Sequence, residues 1–139
     1  MRRRIFGSMY LLVLITVLLS SLLISGLMYH KFFNLMKQEI KNEAGYIGVA
    51  TEMEGIGYLT AVKNTVNFNR ITLIAGDGTV LFDNTAPADK LGNHGDRPEV
   101  KVALEQGFGE ATRLSDTLGS QTFYYALRLT DGTVLRIAN

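Results

Sequence analysis

Hydrophobic positions along the chain change their spacing from one stretch to the next, and each change marks an element. From Ile5 to Tyr29 no residue is charged, and Leu, Ile, Val, Met and small residues dominate. As a helix this run extends about 37 Å, against a hydrocarbon core of about 30 Å, so it is long enough to span a bilayer with some tilt. Helical spacing then continues through Phe33, Met36, Ile40, Ala44 and Ile47, with Lys37, Glu39, Lys41 and Glu43 interleaved, which predicts a helix running on past the apolar segment. The spacing approximates a short a/d seam, so Phe33, Met36, Ile40 and Ile47 serve equally as a dimer helix or as the face that packs on the chain's own domain. Gly45, Gly48, Gly55 and Gly57 loosen this segment and predict a break or a second short helix around Gly55 to Asn64.

At Arg70 the period becomes two. Ile71, Leu73 and Ala75 alternate with Thr72 and Ile74, the turn Gly76-Asp77-Gly78 follows, and Thr79 to Asp83 resumes β-rich sequence. Asp-Gly between two such runs predicts a hairpin, because glycine accepts the positive φ of a tight turn. Asn84 to Gly95 reads as loop. Asp96-Arg97-Pro98-Glu99 then writes a helix start, with Asp96 as N-cap and Glu99 in the capping-box position. Val100, Ala103 and Leu104 form one apolar face of that helix, and Gly107 ends it. Strands are expected at Glu110 to Ser115, Thr122 to Leu129 and Thr133 to Asn139, the last two joined by Asp131-Gly132. In the middle strand Phe123, Tyr125, Leu127 and Leu129 share a face, while Tyr124, Ala126 and Arg128 share the other, as in a sheet with one face in a core and one partly solvated. The sum is an α+β chain: a transmembrane helix continuing into a juxtamembrane helix, then a five-stranded antiparallel sheet with a short helix.

Charge adds orientation. Arg2, Arg3 and Arg4 precede the apolar run and every acidic residue follows it. The positive-inside bias therefore predicts a cytoplasmic tip at 1–4, a transmembrane helix at 5–29, a juxtamembrane segment at 30–64 and an extracytoplasmic domain at 65–139 in a bacterial plasma membrane. A cleaved signal peptide is the competing reading, but its apolar region is usually about 7–15 residues and ends in a small-residue site, and neither condition fits well. The remaining Lys and Arg balance Asp and Glu without a basic stripe, so nucleic acid is not an expected partner. There is no cysteine, which removes disulfides, thiol nucleophiles and Cys-based zinc sites.

Asp77-Gly78-Thr79-Val80-Leu81, Asn93-His94-Gly95-Asp96-Arg97-Pro98-Glu99-Val100 and the strand from Gly109 to Ser115 together resemble the extracytoplasmic sensor domain of phosphate-regulon-type sensor histidine kinases. The anchor and helix before them are similar too, so the resemblance covers nearly the whole chain. It implies a PAS-like or single-Cache fold within a larger parent: a second membrane helix, often a HAMP linker, then dimerisation and ATP-binding kinase domains acting on a cytoplasmic response regulator. The sequence departs from that pattern in stopping at Asn139, without a phosphoacceptor histidine motif or Gly-rich ATP-binding boxes. This makes it a fragment or a truncated product that carries no kinase chemistry of its own. ATP and magnesium are expected only for the missing kinase, and no cofactor for this chain.

No catalytic residue is assigned, since no Ser, His and Asp spacing identifies a nucleophile and base. His94 has no second His or carboxylate at metal-site spacing, and His30 reads as an interfacial residue at the membrane boundary, so no metal is expected. Four residues are candidates for ligand binding: His94 in its loop, Arg97 at a helix N-terminus that favours anions, and Tyr124 and Arg128 on the less apolar face of the middle strand. For Arg97, pairing with Asp96 and Glu99 is the competing reading, and for the aromatic residues it is the core. The function expected is sensory input to a two-component receptor, with membrane lipid, a second copy and a small ligand or envelope protein as partners. The alternatives are an anchored interaction domain, or the ectodomain of a chemoreceptor or cyclic-dinucleotide enzyme.

Overall fold

The computed structural model describes residues 2–63, 69–114 and 121–139. Helix α1 spans Arg2–Glu54 and, after Gly55, a short α2 spans Ile56–Val62. The chain divides into two compact units, Met1–Met36 and Lys37–Asn139.

In the first unit the side chains from Phe6 to Phe32 are exposed throughout, large apolar ones included. By length and composition this helix is able to cross a membrane. Near its end Phe33 stacks on Tyr29, as expected one helical turn apart.

The second unit is built on a sheet of five antiparallel strands: β1 Arg70–Ile74, β2 Val80–Asp83, β3 Phe108–Leu114, β4 Gln121–Arg128 and β5 Val134–Ala138, in the order β2-β1-β5-β4-β3. The expected α+β, PAS-like architecture is thus present. The connection predicted over Asp116 to Gln121 lies mostly outside the described residues. The two hairpin turns share one chemistry. In Asp77-Gly78-Thr79 and Asp131-Gly132-Thr133 the glycine has φ of 88° and 84°, and the threonine N–H donates to the aspartate Oδ1 at 2.9 Å in each.

Both faces of the sheet are covered, rather than one. On one face lies the part of α1 within this unit, where Ile40, Ala44, Ile47, Gly48 and Thr51 recur at helical spacing and are buried. A Cβ on Gly48 would sit 3.2 Å from the side chains of Leu127 and Leu129, which measures how closely helix and sheet approach. Lys41 pairs with Glu110 at 2.5 Å, and Lys37 lies over the Phe123 ring at 4.9 Å. The expected dimer seam therefore needs correction: Ile40 and Ile47, 1% and 5% exposed, belong to the domain's own core. The apolar residues this helix leaves exposed in the same unit are Tyr46, Val49 and Met53.

On the opposite face sits α3, Pro98–Gln106, whose Val100 and Ala103 pack with Ile74, Ala126 and Val134. The capping expectation is also corrected. The N-cap is Arg97, with no side-chain cap bond, and Asp96 instead pairs with Lys101 at 3.0 Å. Pro98 removes one of the N–H groups a cap would serve, and Glu99 turns away from the backbone into the interior.

Candidate functional site

Strand register decides which side chains meet on the α3 face. Arg136 on β5 is opposite Thr72 on β1 and Ala126 on β4, while Thr72 is opposite Asp83 on β2. Residues directly opposite in antiparallel strands point the same way, as do residues two apart along a strand. Arg70, Thr72, Asp83, Tyr124, Arg136 and, on β3, Arg113 therefore share one face. Beside the start of α3, that face opens into a cleft of about 320 Å³ lined by Arg70, Lys90, Leu91, Gly92, His94, Arg97, Arg113, Tyr124 and Arg136.

Local chemistry fixes each group. His94 is held by the β1–β2 turn: its N–H donates to the Gly78 carbonyl at 2.8 Å, and the Asn93 amide donates to the Asp77 carbonyl at 2.9 Å. Gly78 is necessary here, because a Cβ would collide with Asn93 and Gly95 as well as strain a φ of 88°. The Asp-Gly turn and the Asn-His-Gly loop, far apart in sequence, are thus one docked unit. Glu99 is set by a close approach of α3 to β3, where a Cβ on Gly109 would overlap the Glu99 carbonyl oxygen. That contact holds the first turn of α3 down on the sheet, with Glu99 fully buried.

Two carboxylates sit among these cations, Asp83 bonded through both oxygens and Glu99 paired through Oε1 alone. Glu99 Oε1 lies 2.5 Å from Arg113 Nη2 and 3.6 Å from Arg136 Nη1. Asp83 Oδ2 accepts from Arg70 Nε at 2.8 Å and Thr72 Oγ1 at 2.9 Å, while Oδ1 accepts from the Thr85 N–H and hydroxyl and the Ala86 N–H. Burial pushes the Asp83 carboxyl up, but the bonds from Thr85, Arg70 and Thr72 outweigh it and hold the pKa at about 2. Burial also works against the charge of Arg136, which Glu99 supports and Arg70 and Arg113 oppose. The Tyr124 ring lies 4.1 Å from the Arg113 guanidinium and 5.3 Å from that of Arg136, so one aromatic ring serves both cations.

Five cations against two carboxylates leave three positive charges around the cleft. Lys90 and Arg97 are exposed and have neither an ion pair nor a side-chain hydrogen bond among the described residues. Deeper in, Arg113 Nε, Arg136 Nε and His94 Nδ1 are buried without a hydrogen-bond partner, as is Glu99 Oε2 among them. Buried polar atoms are rarely left so, and three such nitrogens on one cleft with a surplus of positive charge point to a ligand that supplies acidic oxygens.

The structure thus brings His94, Arg97 and Tyr124 together, and leaves Arg128 out. Arg128 shares the parity of Tyr124 but lies further along β4, where its guanidinium donates to the Leu104 carbonyl at 3.0 Å and fixes the end of α3. Sequence reasoning missed Arg70, Lys90, Arg113 and Arg136. For Arg136 there was a signal, a charged residue at the centre of the otherwise apolar stretch Val134–Ala138. Among the described residues no cluster of His, Asp or Glu is arranged to hold a metal ion.

No known family matches the sequence. No curated protein matches it either. Among solved structures, the extracellular domain of a protein assigned as a histidine kinase, rpHK1S-Z16, superposes with a TM-score of 0.45 at 19% identity. The superposition covers 60% of this chain and only 36% of that one, so the chain spans about a third of its neighbour's length.

Proposed function

We propose that the chain is the sensory input portion of a membrane-anchored receptor, and that the cleft on the α3 face binds a small acid. The observation that carries this reading is the surplus of positive charge around buried, unpartnered nitrogens of Arg113, Arg136 and His94. Such a site holds an anion by charge-assisted hydrogen bonds, and three surplus charges favour a molecule with more than one acidic group. The apolar helix serves as the anchor, with the three arginines before it keeping that end in the cytoplasm and the sheet domain outside. Resemblance of the turn and loop motifs to phosphate-regulon-type kinases supports a histidine kinase as the parent, with a response regulator as its downstream partner.

Melting of the full chain in zwitterionic nanodiscs tests the site. Citrate, succinate and inorganic phosphate are the probes, with acetate as the singly charged control. The multiply charged probes are expected to raise the melting temperature, and Arg97→Gln to weaken the effect without lowering the melting temperature of the protein alone. A flat response to every acid would remove the cleft from consideration as the sensory site. A reporter fused at Asn139 tests orientation, with extracytoplasmic activity expected.

A further inference from the structure

Of the three unpartnered nitrogens in the cleft, that of His94 belongs to the group whose charge changes most readily near neutral pH. His94 is 7% exposed, lines the cleft, and its Nδ1 is buried with no partner. Every element around the cleft turns a charged or titratable group toward this region: Arg70 from β1, Asp83 from β2, Lys90 from the 3₁₀ turn Ala88–Lys90, Arg97 and Glu99 at the start of α3, Arg113 from β3, Tyr124 from β4 and Arg136 from β5. Cations dominate that set. Neither carboxylate is the partner of the imidazole in this structure: Asp83 already accepts five hydrogen bonds, Glu99 Oε1 is taken by Arg113 and Arg136, and His94 Nδ1 and Glu99 Oε2 each stand without a hydrogen bond.

We infer that the cleft takes up its acid together with a proton, His94 passing from neutral imidazole to imidazolium as the anion enters. This rests on the anion-binding reading above. A proton from the solvent forms the new N–H bond on the ring, and the anion supplies both the counter-charge and the acceptor that Nδ1 lacks. In the protein alone, burial and then the charges of Arg136, Arg97 and Arg70 hold the imidazole pKa down to about 4, with Asp83 opposing them only in part. An anion among those guanidiniums cancels the repulsion that keeps the ring neutral. Binding and protonation therefore reinforce each other, and by linkage affinity rises as pH falls toward about 4, by as much as about tenfold per pH unit below the bound-state pKa.

The test uses the full chain in zwitterionic nanodiscs with probes whose own charge is fixed between pH 5 and 8, namely oxalate, sulfate and ethane-1,2-disulfonate. Titration calorimetry in buffers of different ionisation enthalpy then counts protons taken up. Uptake approaching one proton per anion at pH 5.5 is expected, with tighter binding than at pH 7.5. His94→Gln should bind more weakly at pH 5.5 than the wild type, and the binding that remains through the arginines should lose both the uptake and the pH slope. In parallel, the wild-type imidazole resonances, assigned with His30→Gln, are expected to move from neutral to cationic positions when oxalate is added at pH 5.5. Binding without proton uptake, or uptake undiminished in His94→Gln, overturns the inference and leaves the anion site standing. Failure of all three probes to bind at either pH overturns both.

Discussion

Single residues set the acid sensitivity of this domain. A base whose folded pKa is depressed leaves the folded state with fewer protons than the unfolded chain, so its contribution is lost as pH falls from the unfolded value toward the folded one. For His94 that window runs from 6.5 to about 4, and full expression of the shift would cost about 3 kcal/mol of stability. Asp83 acts in the same direction over a lower window, from 3.8 to about 2, with about 2 kcal/mol at stake. Denaturant unfolding of the protein alone should show stability falling already between pH 6.5 and 4, and His94→Gln should flatten that part of the curve only. Gly109 is a second single-residue test. Its replacement by Ala sets a methyl group against the Glu99 carbonyl and should destabilise by about 1–3 kcal/mol in the same assay, while loosening the hold on Glu99.

At the scale of elements, the face of α1 that meets the sheet decides what a mutation does. Ile40→Asp places an uncompensated charge in a filled core, and loss of cooperative folding in circular dichroism is the expected outcome. The second copy expected from the sequence is better sought on the outward stripe of Tyr46, Val49 and Met53, where three- and four-residue spacing offers it an a/d seam. Lys at Tyr46 and Val49 should shift sedimentation toward monomer without lowering the melting temperature. The elements themselves were legible because their signals are local: two Asp-Gly turns, strict alternation in β4, and Pro98 at the start of α3. What the sequence did not display was the pairing of Arg70 with Ala138 and of Ile74 with Val134, which joins segments some 60 residues apart with no local mark. The site shared that fate. His94 and Arg97 stood out beside a turn and a helix start, whereas Arg70, Arg113 and Arg136 become neighbours only once the register is known. Arg128 misled because parity gives the face of a strand and not the position along it.

For the molecule as a whole, the order β2-β1-β5-β4-β3 makes β5 the sole bridge between two hairpins, since β1 and β4 form ladders with β5 and not with each other. Arg70, Asp83 and His94 lie on the side of one hairpin, Arg113 and Tyr124 on the other, and Arg136 on the bridge. The proposed acid, lodged between them, would act as a rivet through the seam of the sheet. Amide hydrogens of Val134 to Ala138 should then exchange more slowly when it is in place, while those of the outer strand β2 change little. On the proposed reading, the ligand would be felt as the tightness of the middle strand.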